Sequence, residues 1–322
     1  LYGRGGDDIY AFDADTNLGT DVINDSGGID TLDFSQTSAG VSVQLWNTGT
    51  FQVNNNLLIN LSKATIENVT GGSGADSLQG SELSNRIEGN GGDDIIDTGG
   101  GDDVFVFDTD SQLGTDTIYD SWGVDTLDFS RSLNGVTVRL GSAGTYQVSG
   151  NLSLNVVSNT VENVIGGLGN DTLEGNSSTN RLEGLAGNDT LKGAGGDDTY
   201  AFDVDSQLGT DTIDSPWGIG TLDFSTSSTG VDISLSRQVE QRVSGNLALK
   251  IGSSALGTVI GGEGNDRIEG NWRNNILDGK GGADTYVFDA DWNLGLDYVK
   301  DMRPDTTLDF SQTTAENLTI DL

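Results

Sequence analysis

Histidine and cysteine are absent from this 322-residue chain, proline occurs twice and methionine once. Without His or Cys there is no Ser-His-Asp triad, no cysteine nucleophile and no usual zinc ligand set. Disulfide staples are excluded too, although their absence does not fix the compartment. Positive charge is scarce: 15 Lys plus Arg stand against 50 Asp plus Glu, a formal charge of −35. A chain so charged repels itself unless something neutralises it. Nucleic acid and anionic membrane surfaces are therefore poor partners, and divalent cations good ones. No run of 18 apolar residues exists, so no membrane insertion is expected. No secretory leader is visible. The chain opens inside one repeat and stops inside another, and reads as a piece of a longer protein.

Glycine, by contrast, is abundant, with 48 residues. It falls into a nine-residue unit, GGxGxD followed by x-apolar-x. The clearest copies are GGSGADSLQ (71–79), GGLGNDTLE (166–174) and GGEGNDRIE (261–269). Glycines permit a tight turn and bring bare carbonyl oxygens inward. The Asp at position six adds a hard carboxylate, and the apolar residue at position eight starts a short strand facing a core. Oxygen donors without nitrogen or sulfur suit Ca²⁺.

A longer period overlies the short one. LDFS recurs at 32–35, 127–130, 222–225 and 308–311, with its Leu residues 95, 95 and 86 residues apart. The shortfall of nine is one nonapeptide, lost from the third glycine block. The expected organisation is the end of a truncated block at 1–13, glycine blocks at 71–108, 166–203 and 261–289, and strand-rich segments at 14–70, 109–165 and 204–260, with a truncated one at 290–322. Period-two patterns such as Val41–Leu45 and Leu57–Leu61 predict β-strands between the blocks. Few helix-length apolar patterns occur, so the expected class is all-β.

Nine residues arranged as a six-residue turn and a three-residue strand make half of a flattened coil. Unit i then lies above unit i+2, and their Asp residues face one another about 4.8 Å apart. At an effective dielectric of 20 such carboxylates repel by about 3–4 kcal/mol per pair. A Ca²⁺ ion between them reverses the sign, and metal binding becomes folding free energy. The core is thin, with one apolar residue per unit: Leu78, Ile87, Ile96, Leu173, Leu182, Leu191, Ile268 and Leu277.

GGxGxDxUx resembles the RTX (repeats-in-toxin, hemolysin-type) calcium-binding nonapeptide repeats. The segment GVDTLDFSRS…VENVIGGLGNDTLEGN (123–176) also resembles the stretch entering the β-roll of serralysin-type secreted metalloproteases, although their zinc-binding helix is absent. The resemblance implies a right-handed parallel β-roll or β-solenoid, here in blocks that alternate with strand-rich segments. It implies several Ca²⁺ ions. Carried over residue by residue, the ligand sets are Gly72, Gly74 and Asp76 with Gly89, Gly91 and Asp94; Gly167, Gly169 and Asp171 with Gly184, Ala186 and Asp189; and Gly262, Gly264 and Asp266 with Gly279, Gly281 and Asp284.

The opposite edge departs from the pattern. Position six of the second unit is Asn85, Asn180 or Asn275. Asn85 would pair with Asp103 and Asn180 with Asp198, with one charge less, while Asn275 would lose its partner with the missing unit. These units read as structural rungs with weak or absent calcium. Asp8 belongs to the truncated block.

Beyond each block an acidic exit repeats: Asp13, Asp15 and Asp21; Asp108, Asp110 and Asp116; Asp203, Asp205 and Asp211; Asp289, Asp291 and Asp297. It reads either as a further calcium site or as a solvated acidic loop. Asp25 and Asp30, matching Asp120 and Asp125, become Ser215 and Gly220 in the third copy, so an ion held there should be missing from that copy. The fourth has Asp301 and Thr306. The aromatic pairs Tyr10/Phe12, Phe105/Phe107, Tyr200/Phe202 and Tyr286/Phe288 read as core plugs rather than sugar platforms.

No carboxylate-rich cleft stands out, and the paired Asp residues are explained by metal, so no enzyme activity is expected. The chain reads as a secreted or cell-surface calcium-binding scaffold: an adhesin stalk, surface-layer or fibril component. Its folding would be triggered by Ca²⁺ after type I secretion, the export route that the resemblance implies. The alternative is the C-terminal folding and secretion module of a protease, lipase or polysaccharide epimerase. Open strand ends and the surface setting point to self-assembly or cell-surface polysaccharide as further partners.

Overall fold

The computed structural model describes residues 1–63, 65–142, 144–157, 160–252, 255–300 and 303–314. Every regular element among them is a β-strand. The chain forms two compact units, Leu1–Ile165 and Gly166–Leu322.

In the first unit one ladder runs through Ile9–Ala11, Thr31–Asp33, Asn68–Thr70, Arg86–Glu88, Val104–Val106, Asp125–Asp128 and Val161–Ile165, each parallel to the next. A second runs through Ser42–Gln44, Ser77–Ser81, Ile95–Gly99, Gly114–Tyr119 and Leu152–Val156. Successive nonapeptides therefore alternate between ladders, and unit i pairs with unit i+2: Leu78 lies beside Ile96, and Ile87 beside Phe105. This is the coil that the nine-residue period predicts.

In the glycine blocks three-residue strands suffice because the middle side chain of each enters the core. Ser77–Ser81 begins with this alternation, and Arg86–Glu88 and Thr172–Glu174 show it alone. Leu78, Ile87, Ile96, Leu173, Leu182, Leu191, Ile268 and Leu277 are all fully buried. Each contributes about 1.5–3 kcal/mol by leaving water.

The segments between glycine blocks continue the same ladders. Leu32, Leu127 and Leu222 of the LDFS anchors stand beside Tyr10, Phe105 and Tyr200 of the preceding rung. Rungs follow at intervals of 37, 18, 18 and 22 residues (Leu32, Val69, Ile87, Phe105, Leu127), which together make the 95-residue period. The extra length leaves the coil as loops and as strands such as Thr50–Asn54, which adds antiparallel to the rung Leu57–Leu61. The four exit phenylalanines stack on the anchor phenylalanines: Phe12 on Phe34, Phe107 on Phe129, Phe202 on Phe224 and Phe288 on Phe310, with centroids 5.2–5.6 Å apart. The aromatic pairs are core, as expected, except that Phe288 of the fourth is half-buried.

The second unit repeats the scheme, with one change. Gly220–Asp223, Leu256–Ile260, Ile276–Asp278 and Tyr298–Val299 form one ladder. Asp232–Ser234, Arg267–Glu269, Thr285–Val287 and Thr307–Asp309 form another. The last LDFS anchor, Leu308, thus lies in the ladder opposite to Leu222. Nine residues are half a coil, so losing one nonapeptide moves everything after it to the other face.

Candidate calcium sites

Position six of the nonapeptide forms a hydrogen-bonded column along one edge of the coil. In the first block Val41 N–H donates to Asp76 Oδ1 (2.8 Å), Asp76 N–H to Asp94 Oδ1 (2.8 Å), and Asp94 N–H to Asp116 Oδ1 (3.0 Å). In the second, Asp171 N–H donates to Asp189 Oδ1 and Asp189 N–H to Asp211 Oδ1, both at 2.8 Å. In the third, Val231 N–H donates to Asp266 Oδ1 (2.8 Å) and Asp266 N–H to Asp284 Oδ1 (2.9 Å). The three expected pairs, Asp76–Asp94, Asp171–Asp189 and Asp266–Asp284, are thus stacked on adjacent rungs.

One oxygen of each carboxylate fixes the neighbouring turn, and the other faces the interior of its own turn. Asp76 Oδ2 accepts Gly72 N–H (2.7 Å), Asp171 Oδ2 accepts Gly167 N–H (2.6 Å), and Asp266 Oδ2 accepts Gly262 N–H (3.1 Å). Oδ2 of Asp94, Asp116, Asp189 and Asp211 is buried without a hydrogen-bond partner. Glycine at position one leaves room for this arrangement. A Cβ on Gly71 would press into Asp76 Oδ2 and lie 2.7 Å from Gly89 O; the same holds at Gly166 with Gly184 O (2.8 Å) and at Gly261 with Gly279 O (2.9 Å). A carboxylate oxygen from one turn and a carbonyl oxygen from the next therefore converge beside each first glycine.

The other glycines brace the turns against each other. Gly91 N–H donates to Gly72 O (3.1 Å) and Gly281 N–H to Gly262 O (2.7 Å). The carbonyls of Gly74, Gly169 and Gly264 lie against Gly92, Gly187 and Gly282, each with positive φ. Ala186 stands between Gly184 and Gly187 at the position that Gly91 and Gly281 occupy.

Burial raises the carboxyl pKa values. Asp94 is pushed up to about 8 by burial, with Asp116 and Asp76 adding to it, and Asp189 to about 8 by burial and Asp211. Burial takes Asp116 and Asp211 to about 7, and Asp76 and Asp266 to about 6. Buried anionic oxygens with unused lone pairs, next to carbonyl oxygens, fit a hard divalent cation.

On the opposite edge the neutral amides satisfy themselves. Asn85 Oδ1 accepts Ser81 N–H (2.7 Å) and its Nδ2 donates to Glu67 O (2.8 Å). Asn85 N–H donates to Asp103 Oδ1 and Asn180 N–H to Asp198 Oδ1. Asn275 does not lose its partner: its N–H donates to Asp297 Oδ1 at 2.9 Å. The expectation fails because the missing half-coil brings the exit strand onto that edge, so Asp297 occupies the next rung.

The exit aspartates split into three roles. Asp13, Asp108, Asp203 and Asp289 each accept the N–H two residues on. Asp15 accepts Ser38 and Ala39 N–H, Asp110 accepts Leu133 N–H and Asn134 Nδ2, Asp205 accepts Ser228 and Thr229 N–H, and Asp291 accepts Thr314 N–H, so this position clamps the loop after LDFS. Hydrogen bonds from the Ser38 side chain to Asp15 and from the Thr229 side chain to Asp205, with these backbone ones, hold both carboxyls below the usual range. Asp116, Asp211 and Asp297 are column members, and Asp21 has the equivalent place in Gly19–Asp25. Their role had a sequence signal, the 22-residue step that also separates Ile96 from Ile118. Asp8 N–H donates to Asp30 Oδ1 (2.8 Å). Asp301 lies outside the described residues.

No curated protein matches the chain. A family model described as RTX calcium-binding nonapeptide repeat (4 copies) matches residues 70–105, 165–200 and 251–286. The first two matches cover the four units of each long block. The third starts ten residues before Gly261 and takes in the strand Leu256–Ile260, a rung that stands in for the missing unit. With Asp columns on their ladder edges, these three blocks are RTX calcium-binding nonapeptide repeats.

Proposed function

We propose that this chain is a calcium-triggered extracellular scaffold, in which Ca²⁺ bound along the Asp columns converts an extended, self-repelling polymer into stacked coils. The observation that carries the reading is the column itself: buried carboxylates on adjacent rungs, with orphaned oxygens at Asp94, Asp116, Asp189 and Asp211. None of the ion pairs among the described residues reaches them. At low Ca²⁺ the charge of −35 opposes compaction, and at extracellular Ca²⁺ it is partly neutralised where it is most concentrated. The segments between blocks support a structural role, because in each unit they supply rungs to the same ladders as the nonapeptides.

The test is far-ultraviolet circular dichroism of chelated protein during titration with Ca²⁺. The reading predicts a cooperative gain of β-structure. A chelated protein with the same spectrum and the same thermal midpoint as the calcium-loaded one would refute it.

A further inference from the structure

A cleft on the third glycine block is lined by two tryptophans that have no counterpart in the longer blocks. It measures about 460 Å³, within the range of small-molecule sites. One wall is the exit segment, with Phe288, Asp289 and Trp292, and the other is a turn of the block, with Glu269, Asn271 and Trp272. The second block has the same cleft at about 190 Å³, between Phe202, Asp203 and Ser206 of its exit and Glu183, Leu185 and Ala186 of its turn. Trp292 thus takes the place of Ser206, and Trp272 that of Ala186.

The lost nonapeptide brings the two rings together. In a four-unit block the exit lies against the third unit, as Gly92 N–H to Leu113 O and Gly187 N–H to Leu208 O show. In the third block it lies against the second unit, where Leu296 N–H donates to Asn274 Oδ1 (2.9 Å). In that unit Trp272 stands where the longer blocks have Glu82 and Ser177. The rings are not core, since Trp272 is 57% exposed and Trp292 75%. Arg273 does not line the cleft but lies over the Trp272 ring, 4.8 Å from its centroid, and braces it.

Charge and hydrogen bonding select the ligand. Glu269, Asp289 and Asp297 line the cleft, and no Lys or Arg does. Neither Glu269 nor Asp289 belongs to an ion pair of the described residues; Glu269 Oε1 accepts only Ser236 Oγ–H (3.4 Å), and Asp289 Oδ1 only Asp291 N–H (3.2 Å). The amides, by contrast, are committed to the fold. Asn271 Nδ2 donates to Leu256 O (2.8 Å) and its Oδ1 accepts Arg273 N–H (2.9 Å), while Asn293 Oδ1 accepts Gly295 N–H (3.3 Å). Exposed indole faces beside carboxylates without cations suit an organic cation. They suit a sugar less, because its hydroxyls call for donors as well as acceptors.

We propose that this cleft binds a small quaternary ammonium ion, with its methyl groups on Trp272 and Trp292 and its charge offset by Glu269 and Asp289. The site concerns a ligand other than calcium and does not rest on the scaffold reading.

The experiment is calorimetric titration of the full chain in saturating Ca²⁺ with choline chloride, against sodium chloride at equal ionic strength, with circular dichroism as the check on folding. The proposal predicts saturable binding of choline that weakens about fivefold or more in Trp292→Ala, the loss of one ring. If that variant does not fold, Trp272→Ala and Glu269→Gln are measured, and each should weaken choline binding. No heat beyond the sodium chloride control, or an affinity unchanged in the folded variants, overturns the proposal. Binding of cellobiose in place of choline also overturns it and makes the cleft a sugar site.

Discussion

At position four of a turn, Gly92 has φ +131 and lies against the Gly74 carbonyl, so a Cβ there would come within 2.6 Å of Gly74 C. Both neighbours are backbone and cannot move aside. Gly92→Ala should therefore lower stability in saturating Ca²⁺ by about 1–3 kcal/mol or more, read from the denaturant midpoint. A midpoint equal to wild type would mean that the turns are not in the stacked geometry described. The carboxylates make a second, chemically separate prediction. Asp94→Asn keeps an Oδ1 acceptor for Asp76 N–H and removes only the charge. The Ca²⁺ midpoint for folding should rise by at least about tenfold, the loss typical of disturbed metal shells. A calcium titration superimposable on wild type would show that Asp94 is a structural hydrogen-bond acceptor alone.

At the scale of elements, the half-coil of nine residues explains what the sequence made legible and what it hid. Stacking of unit i on i+2 follows from the period, so the pairs Asp76–Asp94, Asp171–Asp189 and Asp266–Asp284 are legible in the sequence. The fate of Asn275 is not, because removal of a half-coil looks in sequence like a lost partner. In space it is a change of ladder that delivers Asp297. Asp120 and Asp125 were visible as repeating residues, but their meeting with Asp103 depends on two rungs coming into register across a 22-residue step. The stacking of Phe107 on Phe129 was equally hidden, since each aromatic alone reads only as core. That contact carries its own prediction. Phe129 is fully buried beside the widest step of the coil, and Phe129→Ala should cost about 3–5 kcal/mol in calcium-loaded protein. A loss below about 1 kcal/mol, measured by chemical unfolding, would show that the anchor does not close the block.

For the molecule as a whole, the raised carboxyl pKa values link stability to both protons and calcium. Burial first, and neighbouring carboxylates where these add, pushes Asp94 and Asp189 up to about 8 and Asp116 and Asp211 to about 7 in the folded chain. Unfolded aspartate titrates near 3.9. Between about pH 4 and pH 8 the folded form therefore holds more protons than the unfolded one, and its stability falls as pH rises through that window. In chelator the folded fraction, read by circular dichroism, should be lower at pH 8 than at pH 5. Ca²⁺ displaces those protons, so calcorimetric titration at pH 7 in buffers of different ionisation enthalpy should report proton release on binding. Diffraction from crystals grown in Ca²⁺ and collected for anomalous signal tests whether the Asp columns hold calcium. Anomalous peaks are expected within about 2.3–2.6 Å of a carboxylate oxygen of Asp94, Asp189 and Asp284. Clear density for those side chains with no peak beside them would contradict calcium in the columns.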